Sequence, residues 1–399
     1  MPTEGSPPAK AVVVVDNAPT AEDTTKTPST ALKKRRSVVV DAPAHDAEET
    51  ETEASRAMKS QAMTRAVHVQ TVQGDVLSAD EGDDSGDEDK DGEPEDGDFL
   101  VDFPDDTDEL ELVHCRIGSL DELRLPRFKD HLRRLCLRQN LIRELDPETF
   151  HLLTKLEELD FYDNRIKHIG NALDKLSNLT SLDLSFNLFK RVPEGLEQLT
   201  AMKTIYFVQN RISKISGLDT LVNLTSLELG GNRIRKIENL APLVNLEELW
   251  LGKNKITKLE GLETLKKLKI LSIQSNRITK LEGLEELESL EQIYLSHNGI
   301  KKIEGFEKNL KLTTIDIGYN FLEKIEGVAH LPELEELWIS GNKIPDFSGL
   351  DKELRGIKSL RTLYLEANPC EINDRVHYRR KVMLTLPQLT QIDATYVRV

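Results

Sequence analysis

Between residues 132 and 365 the apolar and polar positions follow one recurring phrase, L-x-x-L-x-L-x-x-N. It closes on Asn140, Asn164, Asn187, Asn210, Asn232, Asn254, Asn276, Asn298, Asn320, Asn342 and Asn368, which lie 22 to 26 residues apart. Apolar residues two apart before each asparagine mark a short strand with one buried face, because strand side chains alternate sides. In the copy ending at Asn254, Leu249 and Leu251 point inward and Trp250 points outward. The asparagine then turns the chain, its short amide able to pair backbone groups at the bend. Ile256, Leu259, Leu262 and Leu265 continue inward along the return path. Glycines recur seven residues after the asparagine, at Gly217, Gly261, Gly283, Gly305, Gly327 and Gly349, and suit a tight bend. Twenty-two residues leave little room for a full helix, so the return path is predicted as short 3₁₀ turns.

A strand–turn–return unit of this period has the signature of a leucine-rich repeat solenoid, an α/β fold. Its curved parallel sheet lines the concave face and its 3₁₀ turns the convex face. The reading divides the chain into a disordered acidic tail (1–100), a solenoid of about twelve repeats (101–368) and a C-terminal cap (369–399). Order is predicted to begin near Leu110, where Leu110, Leu112, Cys115 and Ile117 fit the template with Cys115 in the asparagine place. Residues 147–150 lengthen one convex loop, and Arg191, Val192 and Pro193 break the usual rhythm, as tolerated variation or as binding features. At the end, a helix over 376–386 stops before Pro387, Leu389 and Ile392 offer a last strand, and Cys370 takes a core position.

Charge changes the picture at the N-terminus. Residues 1–100 hold 23 Asp and Glu against 10 Lys and Arg, with seven prolines and one aromatic, Phe99. Such a segment cannot bury enough apolar surface to offset its ordering entropy. Lys33, Lys34, Arg35 and Arg36 before Ser37 read as a nuclear import signal, a kinase site or a solvated cluster. Residues 80–98 carry twelve acids and Lys90, a solubilising linker or, at Ser85, an acidophilic kinase site. The remainder is nearly balanced, 47 acids against 43 bases, which argues against free nucleic acid as a partner. Three scattered cysteines make no disulfide framework or zinc quartet. No apolar run reaches the length of a membrane span, so a soluble intracellular protein is expected, with no membrane partner.

Candidate chemistry lies on the strand residues that face away from the core. Four residues before each asparagine stand Cys136, Asp160, Asp183, Tyr206, Glu228, Trp250, Ser272, Tyr294, Asp316, Trp338 and Tyr364. Glu248 and Glu336 flank this column, which holds both tryptophans of the chain. Exposed aromatics beside carboxylates are typical hot spots for a protein partner with a basic rim. Trp250 and Trp338 are four repeats apart, roughly 19 Å at strand spacing. No phosphate loop, serine-hydrolase elbow or zinc-protease motif occurs, His297 stands without a paired nucleophile, and Asp160, Asp183 and Glu228 form no metal cage. No cofactor and no catalysis are expected.

The L-x-x-L-x-L-x-x-N-x-I-x-x-I-x-G-L units and the closing N-P-C…Y-R-R-K…L-P-Q-L-x-x-I-D together resemble the leucine-rich-repeat regulatory subunit 7 family of protein phosphatase 1. The resemblance implies a non-catalytic regulatory subunit that binds the phosphatase catalytic subunit through its concave face. It further implies nuclear and cytoplasmic residence and a ternary complex with inhibitor 3. Carried over, the contact positions are Asp183, Tyr206, Glu228, Trp250, Glu336, Trp338 and Tyr364; Tyr294 joins them from the column itself. Related short repeats leave two alternatives: a scaffold for a cytoskeletal or axonemal complex, and an RNA-processing adaptor.

Overall fold

The computed structural model describes residues 100–397, so the readings of the acidic N-terminal tail fall outside the described residues. Fourteen strands form one sheet in chain order. They are β1 (Glu109–Glu111), β2 (Arg134–Cys136), β3 (Glu158–Asp160), β4 (Ser181–Asp183), β5 (Thr204–Tyr206), β6 (Ser226–Glu228), β7 (Glu248–Trp250), β8 (Ile270–Ser272), β9 (Gln292–Tyr294), β10 (Thr314–Asp316), β11 (Glu336–Trp338), β12 (Thr362–Tyr364), β13 (Gln391–Ile392) and β14 (Thr395–Tyr396). All neighbours are parallel except the final β13–β14 pair. The predicted solenoid is the observed architecture. Register is constant: Leu249 stands opposite Leu227 and Leu271, and all three are fully buried.

The asparagines form the expected ladder. Asn254 Nδ2 donates to Leu251 O (3.0 Å) and Gly252 O (3.3 Å) of its own bend, and to Leu229 O of the preceding repeat (2.9 Å). Its Oδ1 accepts from Ile234 N, also in the preceding repeat, at 2.9 Å. The residue before every ladder asparagine is left-handed, as at Gln209 (φ 54), Lys253 (φ 54) and Tyr319 (φ 52), and only Gly231 and Gly341 meet this with glycine. Non-glycine residues rarely take this conformation. The amide bonds that follow hold the chain in it.

The return path consists of paired i→i+3 turns, such as Leu243 N to Leu240 O (2.9 Å) and Leu246 N to Leu243 O (3.0 Å). Gly261 has φ +70, and a Cβ there would lie 2.7 Å from Ile237 O of the preceding repeat. Gly349 departs from the series: its φ is −75, and it caps the irregular helical turn Leu350–Leu354 that fills the longest repeat. The long loop at 147–150 is a short helix, α1 (Pro147–Phe150), capped by the Asp146 carboxylate on Glu148 N and Thr149 N.

Both ends are closed. The segment before the expected Leu110 is also packed: Leu100 is buried and Phe103 is 8% exposed. Arg127 clamps this segment, donating from Nη2 to Leu100 O (2.9 Å) and to Phe103 O, while Nε lies 3.3 Å from Asp105. At the other end, after α2 (Pro369–Ile372) and α3 (Tyr378–Thr385), Asp393 accepts from Leu365 N (2.8 Å), Glu366 N (3.0 Å) and Tyr378 Oη (2.9 Å). Cys370 is 3% exposed, inside the core as expected, and burial pushes its thiol up to about 11.

Two substitutions separate core from ladder. Leu251→Ala is expected to cost about 2–5 kcal/mol, from lost burial and a residual cavity. Asn254→Leu orphans Ile234 N, at about 1–3 kcal/mol, and leaves Leu229 O with Asn232 Nδ2 alone. Equilibrium urea unfolding of both variants checks this; an unchanged transition midpoint for Asn254→Leu removes the ladder from the list of stabilising contacts.

Candidate functional site

The outward column is continuous because register never slips. Asp183 pairs with Tyr206, Tyr206 with Glu228, and Glu228 with Trp250 across β4 to β7. Beyond Ser272, Tyr294 pairs with Asp316, Asp316 with Trp338, and Trp338 with Tyr364 across β9 to β12. The predicted residues therefore fall into an acidic half and an aromatic half of one face. Glu336 borders the aromatic half beside Trp338.

In the aromatic half the rings converge. Trp250 and Tyr294 stack at 6.4 Å with planes 17° apart, Tyr294 meets Trp338 at 6.2 Å, and Trp338 meets Tyr364 edge-on at 5.6 Å. Each of the first two contacts passes over a smaller residue, Ser272 at 3% exposure and Asp316 at 6%. This corrects two expectations. Tyr294 is only 7% exposed, wedged between the tryptophans, so it supports the surface more than it presents one. The tryptophan rings also stand closer than the strand spacing suggests, because two ring contacts bridge them. A structural role therefore explains part of the aromatic column. Trp338 Nε1 is buried without a well-formed hydrogen bond. Burial raises the Glu336 carboxyl, an effect the adjacent Trp338 partly offsets.

In the acidic half the carboxyls crowd. Burial, then repulsion from Asp183 and Glu248, pushes Glu228 up to about 7. Burial and then Asp183 push Asp160 up to about 6, against the pull of Arg138, which lies 3.4 Å away. Asp183 is raised mainly by burial, although it accepts from Ser185 N at 2.8 Å. Tyr206, between Asp183 and Glu228, is pushed up to about 12 by burial and then by those two acids. No described cation forms an ion pair with Glu228 or Asp183. Desolvated carboxylates without counter-charge are what a basic partner group neutralises. Among the described residues no group of His, Cys, Asp and Glu is arranged to hold a metal ion, and no helix is long and apolar enough to cross a membrane.

The left-handed position before each asparagine escaped sequence reasoning as a surface. It carries Phe186, 40% exposed, and Tyr319, 53% exposed. Phe186 packs on Tyr162 at 4.8 Å, with Arg138 over the far ring at 4.2 Å. Tyr319 stacks on His297 at 4.5 Å, so that histidine is a ring partner, and burial lowers its pKa. The available signal was the residue type at this one position.

Family models agree with this geometry. A model described as "Leucine rich repeat" matches residues 130–189 and 177–234, "Leucine Rich repeats (2 copies)" matches 244–286, and "Leucine-rich repeat" matches 286–399. The chain belongs to the leucine-rich repeat proteins. Among curated relatives of this repeat chain, "Protein phosphatase 1 regulatory subunit SDS22" of Saccharomyces cerevisiae is 50% identical over 104 residues, 26% of this chain and 30% of the relative. The protein of the same name from Schizosaccharomyces pombe is 50% identical over 86 residues, 21% of this chain and 24% of the relative. The matched stretch thus spans less than a third of either relative. The resemblance read from the sequence is borne out by these matches. An internalin from Listeria monocytogenes superposes with TM-score 0.58 and 22% identity over 73% of this chain and 87% of its own, which shows the fold alone.

The raised carboxyls give a stability test with a defined sign. Between its ordinary value of 4.5 and its folded value of about 7, Glu228 holds a proton in the fold that the unfolded chain has released. Its contribution to stability therefore falls as pH rises through that window. Glu228→Gln is expected to melt above the wild type at pH 8 and to converge with it near pH 4.5. Melting curves that stay parallel across this range refute the assignment.

Proposed function

We propose that this protein is a non-catalytic regulatory or scaffold subunit that binds the catalytic subunit of protein phosphatase 1 through the concave face. The observation that carries the reading is the juxtaposition, in one register, of uncompensated acids with a packed aromatic array, in a chain half-identical to phosphatase regulatory subunits over about a hundred residues. Trp250, Trp338 and Tyr364 supply ring surface, Tyr294 backs them, and Asp183, Tyr206, Glu228 and Glu336 select a basic rim. Enrichment of aromatic anchors with charged neighbours is the usual anatomy of such a site. The effect on the phosphatase is control of its activity, assembly or localisation. A ternary complex with inhibitor 3 and residence in nucleus and cytoplasm belong to the same reading.

The test is a titration of the catalytic subunit with Trp250→Ala, Trp338→Ala and the exposed control Lys266→Ala. Each tryptophan truncation is expected to cost at least about 2 kcal/mol, roughly thirtyfold in affinity, with the control unchanged. Glu228→Gln is expected to lose less affinity and to flatten the salt dependence. If both folded tryptophan variants bind like the control, the concave face is not the phosphatase site. Affinity purification that returns tubulin, dynein chains or spliceosomal proteins in place of a metallophosphatase selects one of the alternative scaffolds.

A further inference from the structure

We propose that the solenoid edge just past the ladder asparagines is a second interaction surface, taking an extended acidic segment of a partner polypeptide. Near-balance of charge in the folded part conceals a segregation. The position after the asparagine holds Arg211, Arg233, Lys255 and Arg277 in four successive repeats. Backbone bonds fix these positions side by side: Arg211 N to Phe189 O, Arg233 N to Ile212 O, Lys255 N to Ile234 O and Arg277 N to Ile256 O are all 2.8 Å. Four cations thus stand about one strand spacing, roughly 4.8 Å, apart. The three arginines are exposed and Lys255 is half-buried. None of the four makes an ion pair with a described residue, whereas nearby Lys258 and Lys280 both pair with Glu282. Like charges held side by side in neighbouring repeats repel one another, which an anionic ligand reverses.

The surface has shape as well as charge. Arg211, Arg233 and Lys255 line an open groove of about 590 Å³ together with Phe186, Gln209 and Gly231, and with one acid, Asp163. Phe186 offers a partly exposed ring at one end. Acids bound the band on both sides: Asp183 and Glu228 toward the concave face, Glu238, Glu260 and Glu282 toward the convex face. An extended peptide lays its acids along the band in single file, at about 3.3 Å per residue. A nucleic acid duplex carries a charge about every 1.7 Å around a wide cylinder and sets further phosphates against the flanking acids. The observations therefore favour an acidic polypeptide with an apolar residue beside the acids for Phe186.

The experiment uses the full chain and two labelled probes, an oligoglutamate peptide ending in leucine and an oligonucleotide of matching charge. Saturable peptide binding is expected, falling with salt, at least about tenfold weaker in R211E/R233E/R277E and intermediate in the neutral R211Q/R233Q/R277Q. K308E/K311E, on another edge, and W250A, on the concave face, are expected to leave it unchanged, so failure here is distinguishable from failure of the phosphatase reading. The proposal is overturned by peptide binding that does not saturate, by equal losses in the strip and control variants, or by tighter binding of the oligonucleotide. It is also overturned if peptide binds only after the twelve acids of residues 80–98 are replaced by Asn and Gln.

Discussion

Every repeat depends on the one after it. The amide of Asn254 pairs groups of its own bend, but it also reaches back to Leu229 O and Ile234 N in the repeat before. The same two backward bonds recur from Asn140, on Leu112 O and Ile117 N, to Asn368, on Ile339 O and Ile344 N. Buried backbone groups left unpaired are expensive, so the fold is tied together in one direction by a side chain that only the next repeat supplies. This polarity explains both ends. Cys115 can occupy an asparagine place because no ladder repeat precedes it. After Asn368 no further ladder asparagine follows, and the Asp393 carboxylate accepts from Leu365 N and Glu366 N, where in an inner repeat the next strand's carbonyl accepts, as Ser272 O does from Leu251 N.

A ladder that permits no slip also dictates what lies on the open face. Residues in the outward column are laterally adjacent whether or not they attract one another. In one half this produces ring contacts across Ser272 and Asp316; in the other it forces Asp160, Asp183 and Glu228 to share a poorly solvated row. The core and ladder, with more than eighty buried apolar side chains, carry the cost of that row. Carboxyls perturbed by crowding on an open face cluster at functional sites.

The repeat, its register and its inward residues were legible because they obey a local rule: an apolar period of two, closed by one amide. The left-handed bend residue was not, because Gln209, Phe186, Lys253 and Tyr319 carry no glycine-like signal and are held there by the amide bonds that follow. The N-terminal closure was hidden for a different reason: Arg127 grips backbone carbonyls of a short segment that has no repeat pattern. At the site, the column was readable but its division of labour was not. That Tyr294 is buried while Trp338 and Tyr364 remain partly open follows from the sizes of Ser272 and Asp316 between the rings, a packing relation across non-adjacent repeats. The basic edge was concealed by summing charges that the solenoid keeps on separate faces.

The same protonation links stability and recognition with opposite sign. Below about pH 7 Glu228 takes up a proton, and the crowded acidic half relaxes. A cationic partner group seated beside Glu228 draws its pKa back down, so binding at that pH must expel the proton first. Lowering the pH through this window thus raises the Glu228 contribution to the free fold while it weakens the charged half of the proposed interface. In the aromatic half the rings carry no such dependence, since burial holds Tyr294 at about 12, but the carboxyls among them do: burial pushes Asp316 up to about 6 and raises Glu336. Ring surface that does not titrate and carboxyls that do therefore stand side by side on one face. Both are fixed by the register that the asparagine ladder imposes.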